Sequence, residues 1–485
     1  MRIFMENYFW IFGNLIWINM LLAILLIFFE RRNPTSTWLW IMALTFLPGI
    51  GFILYLFIGQ DLSKKKMFKA KEEEDNCLRD LAAVQRWEIR EDKFYRKDPN
   101  FGKYDDLIEM HLMNSEAYFS QDNKVELFYT GQEKFNALLQ SISKAKKHIY
   151  IQYYIFKSDN IGNKIIDALI EKAKEGVEVK FLVDGMGGRN LSKKAKEAMK
   201  DAGIDVAIFF PPFVPLLSIR INYRNHRKIC IIDGKEAYIG GFNVGDEYLG
   251  RSKKFGNWRD THIRIEGSAV NSLQWRFYLD WRFASKEEIK GAQSYFYDES
   301  DCGNVGIQIV SSGPDSKWPS IKDGYMKMIS KGKEKVYIET PYFIPDDSIY
   351  EALRLAALSG VDVRVMIPNK PDHPFVYWAS MSYIGELLEA GAKFYTYERG
   401  FLHSKVVIAD DFVSSVGTAN LDIRSFKLNF EVNAFIYDEA TNLKLTDRFM
   451  DDLKVCREIT LKDYRNRSNI VKIKESVSRL LSPIL

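Results

Sequence analysis

Two short stretches of this sequence carry the same chemistry. One reads Asn225-His226-Arg227-Lys228-Ile229-Cys230-Ile231-Ile232-Asp233, the other Leu402-His403-Ser404-Lys405-Val406-Val407-Ile408-Ala409-Asp410. Both are His-x-Lys-x4-Asp, and both are followed in register by a glycine (Gly240, Gly417) and an asparagine (Asn243, Asn420). In a chain with six histidines, one such match arises by chance on the order of 0.06 times and two about 0.002 times. An imidazole and an ammonium two residues apart, ahead of an apolar run, read as a strand with both groups on one face. One such face from each copy makes a cationic pocket suited to a phosphodiester. Lys228, Lys405, Asn243 and Asn420 are placed to donate to the charge that builds on phosphoryl oxygens. One neutral histidine attacks phosphorus, and the other, protonated, gives its proton to the leaving alkoxide. The symmetry leaves open which does which.

Two identical groups divide these roles only if their surroundings split their pKa values. Asp260 (in NWRDTHIRIEG) and Glu431 (in NFEVNAF) are the candidate acids that bind the second ring nitrogen and fix the tautomer. Asp233 and Asp410 complete the two signatures, and their place at strand ends suits them to hold local structure. A metal centre does not fit: a lysine beside each histidine repels a divalent cation, and carboxylates are few. The pattern calls for no cofactor. His111, His148, His262 and His373 stand outside any such constellation.

The elements that must position these groups also come in pairs. His148–Phe156 (HIYIQYYIF) reads as a buried strand, followed by a helix with Ile165, Ile166, Leu169 and Ala173 at helical spacing, then a strand over Gly176–Val183. Val336–Ile344 and Gly360–Ile367 repeat the two strands around a helix of similar length. Strand–helix–strand units in series predict an α/β fold with mixed sheets flanked by helices, in two similar lobes. The expected boundaries are 119–295 and 296–485, preceded by a charged helical connector over 61–118.

Composition bounds the rest. The 485 residues hold 68 Lys and Arg against 64 Asp and Glu, a net charge of +4, too small to make nucleic acid the partner. Four scattered cysteines exclude a disulfide scaffold and fit a reducing compartment. Asn7–Phe29 and Asn33–Gln60 contain no charged residue. Each exceeds the roughly 20 residues a membrane-spanning helix needs, so residues 1–60 read as a transmembrane hairpin with Pro48-Gly49 kinking its second helix. Lys64, Lys65, Lys66, Lys69 and Lys71 outnumber Arg31 and Arg32 of the turn. That places both lobes in the cytoplasm of a multi-pass cell-membrane protein. The lysine cluster reads equally as a contact with anionic lipid or as a solvated helix face.

The duplicated signature with its downstream Gly and Asn resembles the phospholipase D superfamily. More narrowly, the chain is similar to the bacterial cardiolipin synthases. The likeness runs from ERRNPTSTW and LPGIGFILYLFIG through NHRKICIIDGKEAYIGGFNVGDEYLG, SSGPDS and TPYFIPD to GFLHSKVVIADD, GTANLDIRSFKLNFEVNAFIYD and RLLSPIL. It implies metal-independent transfer between two phosphatidylglycerol molecules, giving cardiolipin and glycerol. It also implies that His226 is the nucleophile, His403 the acid and then the base, and Lys228 and Lys405 the phosphate clamp. A membrane-bound phospholipase D, using water as acceptor, is the alternative reading of the same residues.

Two further segments stand out. From Gly203 to His226 is a step of 23 positions, against 12 from Gly391 to His403. The extra residues fall in the apolar, proline-containing loop 209–217, followed by Arg220 and Arg224. The loop either dips into the bilayer, with an arginine meeting phosphate, or packs on the protein's own core. The tail from Asn469 to Leu485 spaces Ile470, Ile473, Val477, Leu480, Leu481 and Ile484 at near-helical intervals among Lys472, Lys474 and Arg479. It reads as an amphipathic helix that lies on the membrane or caps the second lobe.

Overall fold

The run HIYIQY forms a fully buried strand, His148–Tyr153. It pairs in parallel with Glu178–Asp184, which pairs in parallel with Asp205–Phe209. On its other side the ladder is antiparallel, through Ile229–Ile232, Glu236–Gly240 and His262–Glu266 to Phe119–Phe128. The second half repeats this order: Lys335–Glu339, Asp362–Pro368 and Lys393–Tyr397 are parallel. Val406–Ala409, Val413–Gly417, Asn429–Tyr437 and Val305–Ser312 are antiparallel. Phe119–Phe128 and Val305–Ser312 pair with each other, so the two halves share one mixed sixteen-stranded sheet. Among the described residues, only the second half adds an edge strand, Cys456–Ile459.

This computed structural model describes residues 17, 21, 34–47, 76–211, 222–287, 302–370 and 372–483. Two units are distinguished: Met1–Glu74 with Pro212–Asn222, and Asp75–Pro211 with Tyr223–Leu485. In the first, Pro34–Phe46 is a 13-residue helix without a charged side chain. Among the described residues no helix is long and apolar enough to cross a membrane. Most of the expected hairpin lies outside the described residues, as do its kink at Pro48-Gly49, its arginine turn and the lysine cluster 64–71.

The crossover helices explain why the halves repeat. Asn160–Lys174 and Asp347–Leu358 both start at an aspartate, Asp159 or Asp346, whose side chain accepts the amide N–H of the third helical residue. Such caps contribute about 1 kcal/mol each and set where the helix begins. Each helix buries a leucine-and-isoleucine stripe on the sheet, at ~1.5–3 kcal/mol per fully buried side chain. The expected strand 336–344 is broken: Lys335–Glu339 and Phe343–Ile344 are separate, because Pro341 has no N–H to give a ladder. The strand 148–156 also stops at Tyr153, since the Ile155 amide turns to Asn243 Oδ1 at 3.1 Å.

The described part of the charged connector is helical over Asn76–Arg90 and Asp105–Ser115. Its Ala82, Phe101, Leu107, Ile108 and Leu112 sit in one core cluster with Val310, Ile338 and Phe435 of the second half. Beyond its charges it therefore carries a share of that core. Of the apolar loop only 209–211 is described. Phe209 and Phe210 pack on Phe283 and Phe430, and residues 212–221 lie outside the described set.

Candidate active site

The histidine and lysine of each signature precede the regular ladder, which begins at Ile229 and at Val406. Their backbone is held instead by the opposite half. His226 N–H donates to Phe430 O at 2.9 Å, and His403 N–H donates to Arg259 O at 2.7 Å. Short parallel pairings flank them, Arg224–Asn225 on Asn429–Phe430 and Gly400–Leu402 on Asn257–Arg259. The residue after each of these partners is an acid. So the exchange that fixes each histidine's backbone also delivers a carboxylate to its ring.

His226 Nδ1 lies 3.0 Å from both oxygens of Glu431, and His403 Nδ1 lies 2.7 Å from Asp260 Oδ2. Each acid serves the histidine of the other copy. A carboxylate only accepts, so each Nδ1 carries the proton and each Nε2 presents a lone pair. Among the described residues neither Nε2 has a hydrogen-bond partner. Glu431 is fully buried and also accepts from Thr418 Oγ1 at 2.6 Å and Asn429 Nδ2 at 3.2 Å. Asp260 accepts from the Thr261 amide at 2.8 Å. It packs where only a glycine fits, for a Cβ on Gly241 would come within 1.9 Å of its Oδ1. The Tyr154 ring stands 5.1 Å from that of His226, and the Trp258 ring 5.2 Å from that of His403.

Lys228 Nζ donates to His226 O at 2.6 Å, and Lys405 Nζ donates to His403 O and lies 3.0 Å from His403 Nδ1. Burial drives both ammonium groups down, Lys228 to about 7 and Lys405 to about 8. Burial, with the nearby lysines, lowers both imidazoles to about 4 against the pull of Glu431 and Asp260. Each lysine acts on the other half's histidine, which places all four groups in one electrostatic site. Desolvation is the largest cause at both rings, so a division between the two histidines comes from their different partners. For Glu431, burial opposes ionisation, but the His226 ring, Lys228 and Thr418 outweigh it and its pKa falls.

The remaining sequence candidates are placed differently. Asp233 and Asp410 sit at the far ends of their strands, with φ of 55° and 49°. Asp233 accepts from the amides of Lys146, Lys147 and His148, and Asp410 from those of Lys333, Glu334 and Lys335. They pin the start of the neighbouring strand and are not brought to the histidines. Asn243 accepts from Ile155 N–H and donates to Tyr248 OH at 3.1 Å, while Asn420 donates to Asp422 Oδ2 at 3.1 Å. Arg224 is buried, donates to Tyr223 O at 2.8 Å and lies in the field of Asp184.

Sequence reasoning missed two buried arginines. Arg227 ion-pairs with Asp280 at 2.7 Å and donates Nε–H to Glu431 O at 3.1 Å. Arg259 ion-pairs with Asp452 at 2.6 Å and Glu339 at 3.3 Å, and donates to Asp260 O at 2.6 Å. The available signal was a lone acid inside an apolar run, Asp280 in WRFYLDWRF and Glu339 in KVYIE, since a buried carboxylate demands a cation.

The comparisons agree with this geometry. A family profile described as cardiolipin synthase, PLD-like domain, matches residues 138–256 and 325–453, one match per half. A second, phospholipase D-nuclease N-terminal, matches residues 10–60. The chain is 52% identical over 469 residues to the major cardiolipin synthase of Bacillus subtilis (strain 168), covering 96% of this chain and 97% of that one. It is 51% identical over 468 residues to a cardiolipin synthase of Oceanobacillus iheyensis, with the same coverage of both chains. The phosphatidylserine synthase of Haemophilus influenzae Rd KW20 has a similar fold, with a TM-score of 0.61 at 15% identity over 79% of this chain and all of that one. The chain belongs to the cardiolipin synthase family of PLD-like proteins.

Proposed function

We propose that the protein is a cardiolipin synthase that moves a phosphatidyl group from one phosphatidylglycerol to another through a phosphohistidine. The observation that carries this reading is the crossed pairing: two imidazoles, each with Nδ1 tied to a buried acid of the opposite half and Nε2 unengaged. His226 Nε2 attacks phosphorus, and the bond to the headgroup glycerol breaks. His403 gives that glycerol its proton. His403 then takes the proton from a headgroup hydroxyl of the second phosphatidylglycerol, whose oxygen attacks the phosphatidyl-enzyme and frees His226.

The anionic phosphate restores the charge that burial removes from Lys228 and Lys405, and the two ammonium groups stabilise the transition state. The same anion favours the protonated form of His403. Glu431, bonded through both oxygens, stabilises positive charge on His226 as the covalent bond forms. Asp233 and Asp410 hold the strands. Residues 1–60 form a membrane hairpin ahead of a helical connector over 61–118 and lobes over 119–295 and 296–485, with both lobes in the cytoplasm. The apolar run and the family profile over residues 10–60 support the hairpin.

Purified full-length protein given labelled phosphatidylglycerol alone is expected to yield labelled cardiolipin and free glycerol, at a rate unchanged by a chelator. Labelled phosphatidic acid in place of cardiolipin would identify a hydrolase instead.

A further inference from the structure

The C-terminal helix Asn469–Leu480 is packed the wrong way round for a helix facing water. It starts at Ser468, whose side chain accepts Val471 N–H, and rests against the helix Pro374–Ser382. Its inward side carries Glu475 and Ser478, each 2% exposed, with Glu475 ion-paired to Arg467 at 2.7 Å. Its outward side carries Ile470, Ile473, Val477 and Leu480, between 51% and 81% exposed. At 100° per residue these four side chains form a single stripe less than a quarter of the circumference wide. Burying them in an apolar phase is favourable, whereas leaving them in water forgoes that gain.

Basic groups border the stripe. Lys474 lies on one side, its Nζ 5.3 Å from the Trp378 ring, and Lys472 and Arg479 lie on the other. Arg479 stacks 4.5 Å from the Tyr383 ring. Phe375, at the start of the supporting helix, is exposed as well. An aliphatic stripe with cations on both margins matches the layering of an anionic bilayer, with acyl chains below and headgroups at the rim. A second copy of this face would bring the same cations against each other. The supporting helix follows Asp372, which lies in the electrostatic field of Lys405.

We infer that the helix Asn469–Leu480 is an interfacial anchor that lays Ile470, Ile473, Val477 and Leu480 into the acyl-chain boundary of an anionic bilayer. This rests on the reading above only in taking membrane lipid as the substrate. The anchor holds the second half-site at the height of the phosphate it serves.

The test uses the full chain, with Cys77, Cys302 and Cys456 changed to Ser, in bilayers of phosphatidylcholine and phosphatidylglycerol. A spin label is attached at Ile473→Cys or at Lys472→Cys. The Ile473→Cys label is expected to be reached by oxygen and shielded from a water-soluble nickel chelate, and the Lys472→Cys label the reverse. Equal chelate access at both sites, or dipolar broadening between labels of two copies, overturns the anchor. In the second arm, Ile470, Ile473, Val477 and Leu480 are all changed to Ser. Transfer on vesicles is expected to fall about tenfold while the rate on a monomeric short-chain phosphatidylglycerol stays the same. An equal fall on both substrates overturns the anchor. The label needs no activity: a shielded Ile473→Cys in a protein that makes no cardiolipin would sink the proposed function and leave the anchor standing.

Discussion

Between its histidine and its lysine the first half-site carries Arg227, where the second carries Ser404. Arg227 is wholly buried and holds Asp280, whereas Ser404 is neutral and donates to Thr261 Oγ1 at 2.8 Å. The second half-site recovers a guanidinium from the first half of the chain, Arg259, the residue before its acid. Both arginines end with an N–H on the carbonyl of the acid that holds a histidine, Arg227 on Glu431 and Arg259 on Asp260. The duplicated chain thus keeps the reacting groups in register and lets the scaffolding diverge. What must be reproduced is the position of an acid behind each ring, and more than one arrangement of buried ions achieves it.

The halves also differ at the rings. His226 is held evenly by both oxygens of Glu431, while His403 is held by one oxygen of Asp260 with Lys405 close to the same nitrogen. A ring flanked by a carboxylate on two contacts suits the covalent stage, where it carries positive charge. A ring pressed by an adjacent ammonium gives up its proton more readily, which suits the acid.

The most severe way to break this asymmetry is to remove either ring. His226→Ala and His403→Ala are each expected to lower transfer by about 10^4-fold or more. They separate on a phosphodiester whose leaving group needs no proton. There His403→Ala retains a burst that labels the protein, and His226→Ala does not. A burst in His226→Ala instead would exchange the assigned roles. Next in size, Glu431→Gln and Asp260→Asn are expected to cost about 10^2- to 10^4-fold in kcat, with the fold intact by circular dichroism.

Stability probes the scaffolding. Asp280→Asn leaves Arg227 buried without its counter-charge and is expected to cost about 3–5 kcal/mol in denaturant unfolding. Thr261→Val, which removes the acceptor of Arg259 Nη1 and Ser404 Oγ at the second half-site, is expected to cost about 1.5–3 kcal/mol. Equal losses would mean that the two scaffolds are energetically alike. The smallest effect is a proton count. Burial lowers the pKa of Lys228 to about 7 and of Lys405 to about 8, so near neutral pH each site holds less than a full proton. An anion raises both pKa values, so binding a non-cleavable phosphonate analogue takes up protons. Calorimetry in two buffers is expected to find that uptake reduced when Lys228→Met and Lys405→Met are combined.

Much of this molecule is legible in its sequence. The paired signatures, the strand–helix–strand repeats and the capped crossover helices depend on residues close together in the chain, and local spacing reports them directly. Asp260 and Glu431 were identifiable as acids near the chemistry. Which histidine each one serves was not, because the partner is about 140 residues away for Asp260 and about 205 for Glu431. The fate of Asp233 and Asp410 was half visible: their position at strand ends was in the pattern, but their grip on three amides each depends on a neighbouring strand.

The amino-acid sequence by itself determined the reacting groups, their duplication and the secondary structure that carries them, since these follow from short-range periodicity and residue chemistry. Only the tertiary structure decided that the acids cross between halves, that buried arginines fix them, and that the tail helix turns its aliphatic side outward. Those outcomes are set by which surfaces exclude water from one another, and that depends on residues brought together from distant parts of the chain.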